Sequence, residues 1–118
     1  MTATMTSTEL AARFGQAADR AHAARRLALR PSREHDAELA AYVAMMRTAS
    51  EMLRSYSHSA ASVAAHVTMW RDRAAGRVRE MRGDCTRPVP VEYWAEHGRM
   101  DACEEILSDL EAELRAAV

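Results

Sequence analysis

Lysine and asparagine are absent from this chain, and isoleucine and phenylalanine occur once each, as Ile106 and Phe14. All 16 basic residues are therefore arginines. The scarce residue types have AT-rich codons, whereas the abundant alanine and arginine have GC-rich ones, so the bias indicates a GC-rich genome, bacterial or phage. The abundance of arginine is consequently weak evidence for nucleic-acid binding.

Aromatic residues make up only 5% of the chain, although hydrophobic residues in total reach 48%. A core must therefore be built from alanine, leucine, valine and the eight methionines. Alanine buries little apolar surface, which is worth about 25 cal/mol per Å², and methionine fills irregular gaps. The 118 residues suffice for a single helical domain, 1–118, and are too few for two domains of ordinary size.

Cysteine is scarce as well, and Cys85 and Cys103 form no CxxC pair, so a reduced cytoplasmic protein is expected.

The N-terminus has neither the basic nor the apolar region of a signal peptide, and we expect residues 1–6 to be disordered. No segment approaches the roughly 20 apolar residues that cross a membrane. A net charge of −1 gives no overall attraction to nucleic acid or acidic lipid.

Proline is missing between Pro31 and Pro88, so nothing in that interval forces a helix to stop. Apolar and small residues recur there at alternating spacings of four and three, which keeps one stripe of a helix facing a partner. We name this stripe the heptad seam. Its bulky members, with the equivalent positions of the last helix, are Leu39, Val43, Met46, Leu53, Val67, Val78, Met81, Leu107, Leu110 and Leu114.

The pattern predicts an all-α protein of three helices, at about 8–29, 33–82 and 91–116, with helical-bundle or coiled-coil-like packing. The outer helices are expected to fold back antiparallel onto the long central helix, because both connections are short. A straight central helix would leave an apolar face exposed. Because self-association would bury that face, we predict a homodimer or higher oligomer. The alternative is a break near 55–62, where serines lower helix propensity and would allow a four-helix bundle.

Charge is distributed unevenly along the chain. Residues 71–90 have a net charge of +3, and residues 91–118 carry eight acidic residues against Arg99 and Arg115, a net charge of −6. We interpret this as an acidic third helix lying beside the basic end of the central helix. The alternative is that the acidic helix is a binding face for a basic partner.

The densest basic patch comprises Arg71, Arg73, Arg77, Arg79 and Arg82. Such a patch can bind phosphates, and a nucleic-acid-associated protein using Arg71–Arg87 is one alternative function. The sequence contains no helix-turn-helix signature, zinc finger or basic arm, which argues against that alternative.

Two aromatic residues stand together in a chain that has few of them. Tyrosine and tryptophan dominate interface hot spots, so we predict a protein-interaction site at Tyr93, Trp94, His97 and Gly98, with Trp70 as a further member. Glycine inside a helix costs about 1 kcal/mol relative to alanine, and Gly98 is expected where a backbone or a large ring approaches. The alternative is that Trp94 covers the core beside Trp70.

The sequence contains little evidence for a catalytic, cofactor or metal site. No Glu-x-x-His motif of a di-iron bundle occurs, and no glycine-rich phosphate loop or strained nucleophile turn is present. We therefore expect no enzyme, cofactor or metal site. Cys85, in a connection rich in arginine, is the better candidate for a reactive thiol, whereas Cys103 is expected to be a buried apolar residue.

These observations favour a small non-enzymatic protein that binds and regulates or inhibits another protein through helical packing surfaces. Its size and GC-rich coding suggest a phage or mobile-element origin. An oligomeric phage structural or assembly component is the other alternative, because helical seams drive multimerisation.

Overall fold

The chain forms four α-helices. The computed structural model describes residues 5–29, 32–55, 58–83 and 88–116, and the statements below concern those residues. The helices are α1 (Ser7–Leu27), α2 (Arg33–Arg54), α3 (Ala60–Arg82) and α4 (Val91–Ala116), and no strand occurs in the described part of the chain. The all-α class is confirmed, and the count of three helices is wrong.

The error lies in the central helix, which does not run continuously over 33–82. The backbone turns extended at Ser55 (φ −80°, ψ 136°) and is extended again at Ser59 (φ −89°, ψ 166°). The Ser59 hydroxyl accepts a hydrogen bond from the backbone N–H of Ser62 at 3.1 Å, so it caps a new helix. The serine side chains compete for backbone hydrogen bonds, and the break falls within the 55–62 segment considered as the alternative. Ser57, which belongs to the same serine-rich segment, lies outside the described residues.

The other helix ends follow local signals. Thr6 caps α1 by accepting from the backbone N–H of Glu9 at 3.1 Å, and Ser32 caps α2. Of the six N-terminal residues expected to be disordered, residues 1–4 lie outside the described part, whereas the backbone N–H of Met5 donates to Glu113 at 2.6 Å.

Pairs of residues define the helix directions. Arg25 pairs with Asp36 and Arg47 with Asp19, so α1 and α2 are antiparallel. In the second half of the chain, Arg77 of α3 pairs with Glu96 near the beginning of α4. The charge of Arg71, six residues earlier in α3, acts on the Cys103 thiol, seven residues further along α4. These two helices are therefore antiparallel as well.

The two hairpins join through α2 and α4, which run in the same direction: Gly98 lies against Glu38, and the Tyr42 hydroxyl donates to Glu105 at 2.6 Å. α4 packs against both α2 and α3, whereas α2 and α3 contact each other only weakly. The bundle is elongated and measures 52 × 32 × 27 Å. α2 and α4 are the two inner helices, because each packs extensively against two others, and a groove is left between α2 and α3.

The heptad seam is buried within the chain. Val43, Met46, Leu53, Val67 and Val78 are buried, and Leu39 and Met81 are partly buried. In α4, Leu107 and Leu110 are buried and Leu114 is partly buried. The break in the central helix allows both halves of the seam to pack on α4, so none of these seam residues belongs to the exposed apolar face that predicted self-association. The predicted oligomeric state itself remains a prediction.

Candidate functional site

The groove between α2 and α3 contains a cleft of about 330 Å³. It exists because the two walls separate while α4 lies beneath them. Its lining residues come from α2 (Met45, Thr48), from α3 (Trp70, Arg73, Ala74, Arg77) and from α4 (Glu96, Arg99). We name this feature the arginine cleft. Its volume falls at the lower end of the range of small-ligand sites, about 300–1,000 Å³.

One face of α3 supplies half of the lining. Trp70, Arg73, Ala74 and Arg77 are spaced by three, one and three residues, which places them on the same side of a helix. Ala74 is buried and the two arginines are exposed, so the helix has an apolar base with charged side chains above it.

Glu96 is a buried carboxylate, only 4% exposed, at the floor of the cleft. Arg77 Nη1 donates to its Oε1 atom at 3.1 Å, and Arg99 Nη1 donates to the same oxygen at 2.5 Å. A buried charge is tolerated when it is paired and hydrogen-bonded. Glu96 therefore holds two guanidinium groups from different helices side by side.

Arg73 completes the group of cations. It is exposed, and it makes no ion pair with any other described residue. Three guanidinium groups and one carboxylate give the cleft a net charge of +2. Because guanidinium groups bind carboxylate and phosphate oxygens in bidentate geometry, the cleft has the chemistry to bind an anionic group.

The cleft also has an apolar wall. Trp70 and Met45 line it together with the buried Ala74, and the Trp70 ring lies 6.0 Å from the ring of His66. An indole flanked by arginines is suited to a ligand that carries both carbon and negative charge.

The predicted basic patch does not form one surface. Arg73 and Arg77 line the cleft, whereas Arg71 donates to its neighbour Asp72 at 3.2 Å. At 100° per residue, Arg79 and Arg82 lie roughly 120–180° around α3 from Arg73 and Arg77, and neither lines the cleft. The structure thus separates the five arginines into two groups on different sides of the helix.

The predicted interaction segment of α4 is also divided. Tyr93 is buried, and its ring contacts those of Trp94 (5.2 Å) and His97 (4.6 Å) in edge-on geometry. Trp94 precedes Glu96 by two residues, so its side chain points about 200° away from the cleft floor. Trp70 and Trp94 belong to separate ring clusters rather than to one aromatic cover of the core.

Gly98 is buried where α4 crosses α2. A Cβ atom at this position would overlap the backbone carbonyl of Glu38, whose carbonyl carbon would be only 2.9 Å away. The expectation that a backbone approaches Gly98 is confirmed. This glycine lies between two helices of the same chain and does not contribute side-chain surface to a partner.

The residues predicted from the sequence do not include four members of the site, Glu96, Arg99, Met45 and Thr48. A signal was available for the first two, because an acidic and a basic residue three positions apart lie on the same side of a helix. Nothing in the sequence indicated that this side would face Arg77. That contact exists only because the central helix breaks and α4 packs between its halves.

No group of three or more histidine, cysteine, aspartate or glutamate side chains is arranged to hold a metal ion in the described ranges. His58 and His66 lie with ring centroids 5.9 Å apart, and His66 Nδ1 is 2.8 Å from the Ser62 carbonyl oxygen. Cys85 lies outside the described residues.

Cys103 is fully buried, and burial raises the pKa of its thiol to about 11. In a Cys85→Ser variant, which retains Cys103 alone, we expect a thiol-specific chromogenic reagent to react at least about 10³-fold more slowly with the native protein than with the protein in urea, because the thiolate forms only when the bundle opens. Comparable rates in the two conditions would contradict the burial of Cys103 in solution.

None of the four helices, as far as the structure describes them, combines the length and hydropathy needed to span a bilayer. No protein-family model matches the chain, and neither a curated protein nor a solved structure is significantly similar to it.

Proposed function

We propose that this chain is a non-enzymatic binding protein that recognises an acidic segment of another protein through the arginine cleft. The observation that carries the proposal is the convergence of Arg73, Arg77 and Arg99 from two helices on one concave surface with an apolar wall. Cations that converge in a cleft attract an anionic partner more strongly than the same cations spread over a convex surface.

A protein partner is favoured over nucleic acid by the arrangement of the other arginines. A nucleic-acid backbone requires a track of cations along several phosphates. Arg79 and Arg82 lie on another side of α3, and Arg71 is paired with Asp72, so the other arginines of α3 do not extend the cleft into such a track. The cleft offers one confined site, which suits a short acidic segment.

The test is the binding of a fluorescently labelled deca-glutamate peptide, measured by fluorescence polarisation at low salt. We expect the double variant Arg73→Ala/Arg77→Ala to raise Kd at least about tenfold, because it removes two of the three cations. The matched control is Arg79→Ala/Arg82→Ala, which removes the same charge from the same helix outside the cleft. Binding should also weaken as salt is added.

Equal losses in the two double variants would contradict the proposal, because they would show that the peptide responds only to overall charge. No binding of the peptide to the unmodified protein at low salt would contradict it as well. The single variant Arg73→Ala tests the loss of peptide binding without a loss of stability, because Arg73 makes no ion pair with the other described residues.

A further inference from the structure

We infer that the anionic group bound in the arginine cleft is a phosphate monoester carried by a side chain of the partner protein. This inference rests on the proposed function and names the chemistry of its ligand. Three properties of the cleft lead to it: its net charge, the number of free donors and its size.

The net charge suits a dianion. Glu96 neutralises one of the three guanidinium groups, which leaves +2. A phosphorylated side chain carries about −1.5 to −2 at pH 7 and presents three acceptor oxygens. A single carboxylate carries one charge and two oxygens, so it would leave part of the cleft's positive charge unpaired.

The donors of the cleft are partly arranged before any ligand binds. A guanidinium group has five N–H donors, and Glu96 accepts one Nη1 contact from Arg77 and one from Arg99. The remaining N–H groups of both arginines have no hydrogen-bond partner among the described residues. Arg73 adds a third cation from the preceding turn of α3. Side chains that are already held in place lose less conformational freedom on binding, so the site is prepared for a tridentate anion.

The cleft is large enough to hold more than a phosphate ion. The volume of about 330 Å³ exceeds the space a phosphate group occupies, and the rest is lined by Trp70, Met45 and Ala74. These apolar groups suit a carbon stem or ring attached to the phosphate. A phosphorylated side chain supplies both parts, whereas free inorganic phosphate supplies one.

The experiment compares two small probes that share a phenyl ring and differ in the anionic group, phenyl phosphate and phenylacetate. The chain has two tryptophans, so a Trp94→Phe variant leaves Trp70, at the cleft wall, as the only tryptophan, which is excited selectively at wavelengths where tyrosine does not absorb. We expect phenyl phosphate to change the Trp70 emission with a Kd at least about tenfold lower than that of phenylacetate. Arg73→Ala should remove most of this difference, and Arg79→Ala should preserve it.

Each other result overturns the inference in an identifiable way. Equal affinity for the two probes would show that the cleft does not prefer phosphate, while the deca-glutamate result would leave the proposed function in place. Inorganic phosphate binding as tightly as phenyl phosphate would mean that the apolar wall contributes nothing. A ten-residue oligothymidylate competing better than phenyl phosphate would assign the site to nucleic acid. Failure of both phenyl probes and of deca-glutamate would remove the inference and the proposed function together.

Discussion

Replacing Gly98 with alanine is expected to destabilise the protein by about 3 kcal/mol, a large effect for one methyl group. The new Cβ would overlap the backbone of Glu38, and a helix backbone cannot yield as a flexible side chain can. Relief requires α4 to move away from α2, which would loosen the core that both helices share. For a domain of this size we expect a fall in Tm of roughly 10–20 °C.

The matched control is Gly76→Ala, the same substitution in the interior of α3. A Cβ at Gly76 would meet only the end of the Arg79 side chain, at 4.0 Å. Glycine costs roughly 0.5–1 kcal/mol relative to alanine in a helix, so this variant should be slightly stabilised. Urea unfolding followed by far-UV circular dichroism measures both. A Gly98→Ala variant as stable as Gly76→Ala would show that α4 and α2 do not approach this closely.

The second large effect concerns the buried carboxylate of Glu96. Removing both of its partners with Arg77→Ala/Arg99→Ala is expected to lower the free energy of unfolding by about 2–3 kcal/mol at pH 7, because a buried charge would lose its compensation. This expected loss of stability is smaller than that for a fully buried ion pair, because the side chains of both arginines are about half exposed. Urea unfolding again provides the measurement.

Two further variants separate charge from packing. Adding Glu96→Met to the double variant should recover most of the lost stability, since it replaces the uncompensated carboxylate with an apolar side chain of similar length. Arg79→Ala/Arg82→Ala should change stability by less than about 0.5 kcal/mol. If Glu96→Met recovers nothing, the loss came from the packing of the arginine stems and not from the buried charge.

Helix boundaries were largely predictable from local chemistry. The hydroxyls of Thr6 and Ser32, Gly83 after α3 and Pro90 before α4 mark ends that the structure also shows. The limits 91–116 of the last helix were predicted without error. Such signals operate within a few residues, so they can be read from a sequence without knowledge of the fold.

The break in the central helix was harder to predict because two local tendencies compete. The heptad seam continues through residues 50–64 in register, which favours one helix, while the serines between 55 and 62 favour helix ends. The balance depends on burial. With the break, both halves of the seam pack on α4, where Val43, Met46 and Val67 are buried, and a straight helix could not achieve this within one chain.

Local sequence signals specify that the chain is helical, where most helices begin and end, and that its core consists of small and aliphatic residues. Those properties follow from the periodicity of apolar positions and from capping groups, which act locally. The position of α4, packed against both α2 and α3, follows only from the tertiary packing. This arrangement buries Gly98 against Glu38 and brings Glu96 to Arg77 across 19 positions of sequence, so the arginine cleft depends on long-range packing that no local pattern specifies.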